Sequence, residues 1–152
     1  MGAVTFRRAT AADLPAIVAM LADDGLGRGR EDASLPLARG YTDAFAAIEA
    51  DSNQMLAVAE AGGVVVGTLQ LTFLPGLSHK GAWRGQVESV RVASSRRGTG
   101  LGQAMLEWAV GECRARGCRM VQLTTDKTRA DAHRFYERLG FKASHEGFKL
   151  VL

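Results

Sequence analysis

The chain has 152 residues, 47% of them hydrophobic and 23% charged, with 19 Lys and Arg against 16 Asp and Glu for a net charge of +3. One domain spanning 1–152 is expected at this length, with a core that can be stable without metal or disulfide. The composition excludes disorder, collagen and coiled coil, and the small positive balance permits an anionic ligand without arguing for nucleic acid.

No apolar run reaches the ~20 residues of a membrane helix. Residues 1–6 lack a basic region followed by an apolar stretch, and Phe6 breaks the myristoylation pattern. Cys113 and Cys118 have neither zinc nor redox spacing and read as reduced thiols, and no metal site is expected. A soluble, cytoplasmic protein is the expectation, without nucleic-acid or membrane partners. A homodimer is compatible with such a domain.

Residues 4–8 read as a first strand. Thr10 and Asp13 have capping-box spacing, although Pro15 fits better with Asp13 as N-cap. Leu14, Ile17, Val18 and Leu21 recur at helical spacing, giving a first helix ending near Asp24 and Gly25. Residues 25–32 are polar, glycine-rich and expected to be mobile, and 37–50 read as a second helix. Strands follow over 54–60 and 64–73, joined by the hairpin signal Gly62-Gly63. A strand over 86–93 runs into a glycine cluster and a long helix to about Arg116, where Gly117 stops it. A strand over 120–125 and a helix over 128–139 come next, the helix with Thr128 and Asp131 as a second capping box and Gly140 as a left-handed cap. Two closing strands are expected over 141–144 and 148–152. The order β-α-α-β-β-β-α-β-α-β-β predicts an α/β fold: a mixed sheet with helices on both faces, antiparallel in its hairpins and parallel across the glycine cluster.

That cluster joins a strand to a helix. Gly98, Gly100 and Gly102 leave backbone N–H groups unobstructed at the helix N-terminus, where four have no partner inside the helix. With the positive end of the helix dipole they form an anion site. Arg96 and Arg97 add full charges, and a phosphate or pyrophosphate suits the site best. Gly102 is followed by Gln103-Ala104 rather than Lys-Ser/Thr, which excludes a Walker A loop. The Gly-x-Gly-x-Gly spacing and the late strand before it depart from a dinucleotide fingerprint.

These residues resemble the GNAT superfamily of N-acetyltransferases. Its acyl-CoA motif, Gln/Arg-x-x-Gly-x-Gly/Ala, is matched by Arg97-Gly98-Thr99-Gly100-Leu101-Gly102, and the downstream Tyr136-Glu137-Arg138-Leu139-Gly140-Phe141 matches the family's Tyr-x-x-x-Gly-Phe signature. The element order matches along nearly the whole chain. The resemblance implies the family's acyl-CoA N-acyltransferase fold, a central mixed sheet flanked by about four helices. It implies acetyl-CoA or a related acyl-CoA as donor, an amine as acceptor, and pyrophosphate on the loop of Arg97, Gly98, Thr99, Gly100, Leu101 and Gly102, with Gln103 beside it. Pantetheine would lie against the strand containing Ser89 to Val92, including Val90, Arg91 and Val92. The family often carries Asn seven residues before the Tyr, where this chain has Arg129.

Acetyl transfer to an amine needs a deprotonated amine, a polarised carbonyl and a proton for the leaving thiolate. Tyr136 is the candidate acid, since a phenol with pKa about 10 keeps its proton at neutral pH; an ordinary half-buried core tyrosine is the other reading. Glu88 is the candidate base, expected among apolar neighbours in phase with Val90 and Val92 unless a bulge breaks the phase; a salt-bridged strand acid is the alternative. His79, His133 and His145 are lesser candidates. Asp23, Asp24, Glu31 and Asp32, on the loop after the first helix, would suit a cationic acceptor, a solvated loop being the alternative reading, and the loop from Leu74 to Trp83 is a candidate to line its pocket. Trp108 is expected in the core. A small-molecule amine acetyltransferase, a protein or peptide acetyltransferase and a non-catalytic acyl-CoA-binding module all fit these residues.

Overall fold

The computed structural model describes residues 2–152, which divide into two compact units, residues up to 122 and residues 123–152. Five strands of the first unit form one sheet in the order β1-β2-β3-β4-β5: β1 (Val4–Arg8), β2 (Gln54–Ala61), β3 (Val64–Leu74), β4 (Arg84–Val92) and β5 (Met120–Gln122). β1 to β4 are antiparallel and β5 is parallel to β4. Consecutive antiparallel strands need only a tight turn, supplied between β2 and β3 by Gly62 and Gly63, both at positive φ. The parallel pair needs a crossover, supplied by α4 (Leu101–Ala115).

β2 and β3 are buried on both faces. Helices α1 (Leu14–Ala22) and α2 (Arg39–Ala50) cover one face, where Leu14, Ile17, Phe45 and Val58 form a cluster. α4 covers the other with Leu101, Met105, Leu106, Ala109 and Cys113. Two strand glycines admit that helix: a Cβ at Gly85 would lie 2.2 Å from the Cys113 Sγ, and one at Gly67 2.6 Å from the Met105 Sδ. Trp108 is half-buried rather than fully in the core, stacked on Phe6 of β1 at 5.5 Å.

Both proposed starts of the first helix occur. Ala11–Asp13 form a 3-10 turn, and α1 follows with Asp13 as N-cap and Pro15 in its first turn. The Asp13 carboxylate accepts the Thr10 N–H (2.7 Å) and a two-pronged contact from Arg7 (2.7 and 3.0 Å). Those hydrogen bonds, Arg7 first, hold its pKa down at about 2. The loop expected to be mobile folds back on itself, with the Gly27 and Arg28 N–H groups donating to the Asp24 carbonyl. Gly27 is required there, because a Cβ would meet the Leu21 carbonyl oxygen at 2.0 Å. Between β3 and β4 a single turn, α3 (Ser78–Gly81), has His79 and Lys80 at positive φ.

In the second unit α5 (Ala130–Arg138) ends as expected. Gly140 has φ 95° and the Phe141 N–H donates to the Tyr136 carbonyl. The expected Thr128–Asp131 capping box does not form. Thr128 instead donates through its N–H and hydroxyl to Asp126, Arg129 is the N-cap, and Asp131 pairs with Arg134. An Asx turn two residues long outcompetes the longer-range cap. The two closing strands over 141–144 and 148–152 are also absent: the segment is irregular, with the Ser144 N–H bonded to the Lys142 carbonyl. Its residues favour strands, but a strand exists only as a hydrogen-bonded pair, and no ladder partner lies within the unit. No helix among the described residues is long and apolar enough to cross a membrane, and no cluster of three metal-ligating side chains is found among them.

Candidate active site

The centre of the site is an irregularity in β4. Thr68 pairs with Arg91 and Gln70 with Glu88, so Ser89 and Val90 together oppose Leu69. This is a β-bulge, and Ser89 takes φ 55°, a left-handed conformation that costs a non-glycine residue free energy. The bulge re-aims the strand. β5 pairs with β4 only at Arg84, Gly85 and Gln86. Beyond Gln86 the outer edge of β4, including Val90, Arg91 and Val92, therefore has no strand partner within this unit, and edge groups of this kind suit the amides of an extended ligand. One of them is already engaged: the Val90 carbonyl accepts from the Arg91 guanidinium at 2.9 Å.

β4 leads through a 3-10 turn (Ser94–Arg96) to the glycine loop. Gly98 has φ 76° and Gly100 φ 86°, the latter as N-cap of α4. The Thr99 hydroxyl closes the loop onto the Arg96 carbonyl at 2.6 Å. The first intrahelical bond runs from the Ala104 N–H to the Gly100 carbonyl. The N–H groups of Leu101, Gly102 and Gln103 thus stand at the open end of a 15-residue helix. Nothing lies within 4 Å of a Cβ built on Gly98 or Gly100. The space over the loop is open to a ligand, and it is φ that demands glycine there. Gln103 turns its side-chain amide to Glu107 at 2.8 Å.

Asp23 and Asp24, which the sequence leaves between a solvated loop and a cationic acceptor, serve these two elements instead. Asp24 pairs with Arg91 at 3.0 Å, and Asp23 meets Arg97 at 3.4 Å. No sequence signal connects residues so far apart in the chain. Of the other two acids, Asp32 receives the Ser34 N–H and hydroxyl, and Glu31 accepts from the Tyr41 hydroxyl at 3.4 Å.

A cavity of about 110 Å³ lies between α1, α2 and the sheet. Its lining is mainly apolar, with Ile17, Phe45 and Leu56, but Thr68, Gln70 and Ser89 form its floor. Ser89 thus belongs both to the bulge and to the cavity. Glu88 is paired directly with Gln70. It is exposed and flanked on its face by Gln70 and Gln86, not by the apolar neighbours expected. The bulge at Ser89 breaks the phase with Val90 and Val92 on which that expectation rested.

In the second unit Tyr136 sits half-buried on α5, edge-to-face with Phe135 (5.2 Å) and Phe141 (5.9 Å). His133 bonds the Asp126 carbonyl at 3.0 Å, a structural role at the helix start. His145 is exposed beside the Ser144 hydroxyl, His79 is exposed on α3, and Arg129 is the N-cap of α5. In the first unit Trp83, 37% exposed, accepts the Arg119 N–H on its carbonyl.

The model of the acetyltransferase (GNAT) family matches residues 24–141. The chain belongs to this family. Among its GNAT relatives, aminoalkylphosphonate N-acetyltransferase of Salmonella typhimurium is 37% identical over 75% of this chain and 73% of its own. Glucosamine 6-phosphate N-acetyltransferase of Trypanosoma brucei brucei is 34% identical over 59% of each. A crystal structure of a transcriptional regulator from Bacillus halodurans C-125 is 51% identical, covers 99% of this chain and 100% of its own, and superposes with a TM-score of 0.96. The GNAT fold is the mixed α/β sheet described above. The matched residues include both the glycine loop and the α5 terminus, where the sequence resembles the family's two motifs.

Proposed function

We propose that the chain, acting as one domain over 1–152, is an acetyl-CoA-dependent N-acetyltransferase that modifies the primary amine of a small molecule. The observation that carries this reading is the sharing of Ser89 between the bulge and the cavity: the open edge of β4 and a pocket of about 110 Å³ meet at one residue. A pocket that small, walled by two helices, suits a short amine better than a peptide chain. The two curated relatives are named for small phosphonylated or phosphorylated amines, which agrees.

In this reading the N–H groups of Leu101, Gly102 and Gln103, with Arg97, bind the diphosphate of acetyl-CoA, and the edge from Val90 to Val92 holds its pantetheine arm. The thioester supplies the acetyl group. An amine of pKa near 10.4 is almost wholly protonated at neutral pH, and working from the free form costs roughly 4–5 kcal/mol. Glu88 receives the proton, directly or through a water, as the nitrogen lone pair attacks the thioester carbonyl. The C–N bond forms, the C–S bond breaks, and Tyr136 returns a proton to the departing sulfur. No covalent acyl-enzyme is needed.

The test is CoA release from acetyl-CoA, followed with a thiol reagent, against a panel of amino acids, aminoalkylphosphonates, amino sugars, polyamines, aminoglycosides and peptide N-termini. Turnover of a small amine, lowered about 10- to 1000-fold in Tyr136→Phe with unchanged acetyl-CoA affinity, is the expected result. Turnover of peptides alone would replace the acceptor class, and tight acetyl-CoA binding without turnover of any amine would make the chain a binding module.

A further inference from the structure

Arg84, Gln86 and Glu88 stand at alternate positions of β4, opposite Leu74, Thr72 and Gln70 of β3. They share the sheet face that carries Gln54 of β2 and Gln122 of β5. The amides along this row are matched to one another. Gln54 Oε1 accepts from Gln70 (3.1 Å) and Thr72 (3.0 Å), and Gln86 Oε1 accepts from Gln122 (3.1 Å). Arg84 differs: it is half-buried, and its Nε is buried without a hydrogen-bond partner. Four other arginines of the unit have carboxylates, Arg7 with Asp13 and Glu60, Arg39 with Asp43, Arg91 with Asp24, and Arg97 with Asp23, while Arg8 and Arg116 donate to backbone carbonyls. No carboxylate lies within ion-pair distance of Arg84 among the described residues. The turn before β4 passes close by, since a Cβ on Gly76 would lie 3.6 Å from the Arg84 Nη1.

A buried guanidinium donor with no partner needs an explanation, because native proteins leave few such groups unsatisfied. The planar fork of arginine matches the oxygens of phosphonate, phosphate and carboxylate. We propose that Arg84 determines acceptor specificity by binding an anionic group carried on the same molecule as the amine that Glu88 receives. This rests on the transferase reading above. Arg84 and Glu88 lie four positions apart on the strand, placing their Cα atoms ~13 Å apart. An acceptor held by both would extend from the cavity floor at Gln70, which pairs with Glu88, across Gln86 toward Arg84, with its amine and anion several bonds apart.

The experiment compares three amines of matched length with acetyl-CoA: 3-aminopropylphosphonate, 4-aminobutyrate and 4-aminobutanol. The wild type is expected to favour an anionic acceptor. Arg84→Gln is expected to lower kcat/KM for the anionic amines about 10- to 100-fold, mainly through KM, and to leave 4-aminobutanol and the KM for acetyl-CoA unchanged. Arg84→Lys, which keeps the charge without the fork, is expected to fall between. The comparison of phosphonate with carboxylate tells which anion the fork selects. Equal losses on all three amines, no loss on the anionic pair, or a wild-type preference for 4-aminobutanol would overturn the proposal. If no amine is acetylated, the transferase reading fails by itself, and phosphorus NMR titration of 3-aminopropylphosphonate into CoA-saturated protein decides about Arg84. Binding that Arg84→Gln abolishes supports it, and binding that is absent or indifferent to the substitution overturns it.

Discussion

Arg97, the first residue of the acyl-CoA motif, donates from Nη2 to the backbone carbonyl of Asp23 at 3.0 Å and lies 3.4 Å from the Asp23 carboxylate. The arginine that opens the glycine loop is thereby tied to the C-terminus of α1. A diphosphate on that loop would compete with Asp23 for the same guanidinium. Both side chains are about half exposed, so the pair itself contributes little. Arg97→Ala is expected to weaken acetyl-CoA binding about tenfold, whereas Asp23→Asn is expected to tighten it slightly, by no more than about fivefold. Calorimetric titration at low and high salt checks both, with affinity falling as salt rises.

Gly100 separates backbone from charge effects. At φ 86° an alanine there is strained by about 1–2 kcal/mol, although its Cβ would touch nothing. Gly100→Ala is expected to lower Tm by several degrees while retaining acetyl-CoA binding in part. Gly100→Asp adds a negative charge against the diphosphate and is expected to abolish binding. Thermal melts together with cofactor titrations distinguish the two losses.

Gly85 is required for a different reason. Its Cβ would fall 2.2 Å from the Cys113 Sγ, on a buried residue of α4. Gly85→Ala is expected to destabilise the fold by about 1–3 kcal/mol. Adding Cys113→Ala removes the 2.2 Å contact but leaves the Cys113 Cβ at 3.1 Å, and should return part of that loss. Urea denaturation of the two single variants and the double variant gives the coupling directly.

Asp13 confers a pH dependence with a definite sign. Arg7 lowers its folded pKa to about 2 from an ordinary value of 3.8. A depressed carboxylate stabilises the fold above its unfolded pKa and loses that contribution as pH falls through the folded value. The stabilisation, at most about 2 kcal/mol, is therefore complete at neutral pH and drains away between about pH 5 and pH 2. Asp13→Asn is expected to be less stable than wild type at pH 7 and to show a flatter acid limb. Denaturation midpoints measured at pH 7, 5, 4 and 3 test this.

Much of the fold was legible along the chain. The chain placed α1, α2, β2, β3 and α4 to within a few residues, α1 and β3 by their periodicity, because each buries one face or both against a core. The Gly62-Gly63 turn and the Gly140 cap were legible because glycine is the residue that takes positive φ at little cost. The left-handed turns at Gly98 and Gly100 were legible for the same local reason. The bulge was not: Ser89 carries no signal for φ 55°, and without it Glu88 reads as one more residue in phase with Val90 and Val92. The closing strands were misread because residues such as Phe148, Leu150 and Val151 favour a strand, yet all three are more than four-fifths exposed and unpaired in their unit.

The sequence by itself determined where the backbone must bend left-handed, which faces are apolar, and that a glycine-rich loop joins a strand to the N-terminus of a long helix. These are properties of neighbouring residues, and the chain carries them before it folds. Only the tertiary structure decided that Asp23 and Asp24 answer Arg97 and Arg91, that Ser89 joins the open strand edge to the cavity, and that Arg84 is left without a carboxylate. Such pairings depend on which distant segments meet when the core closes, and a charge in a linear sequence does not name its partner.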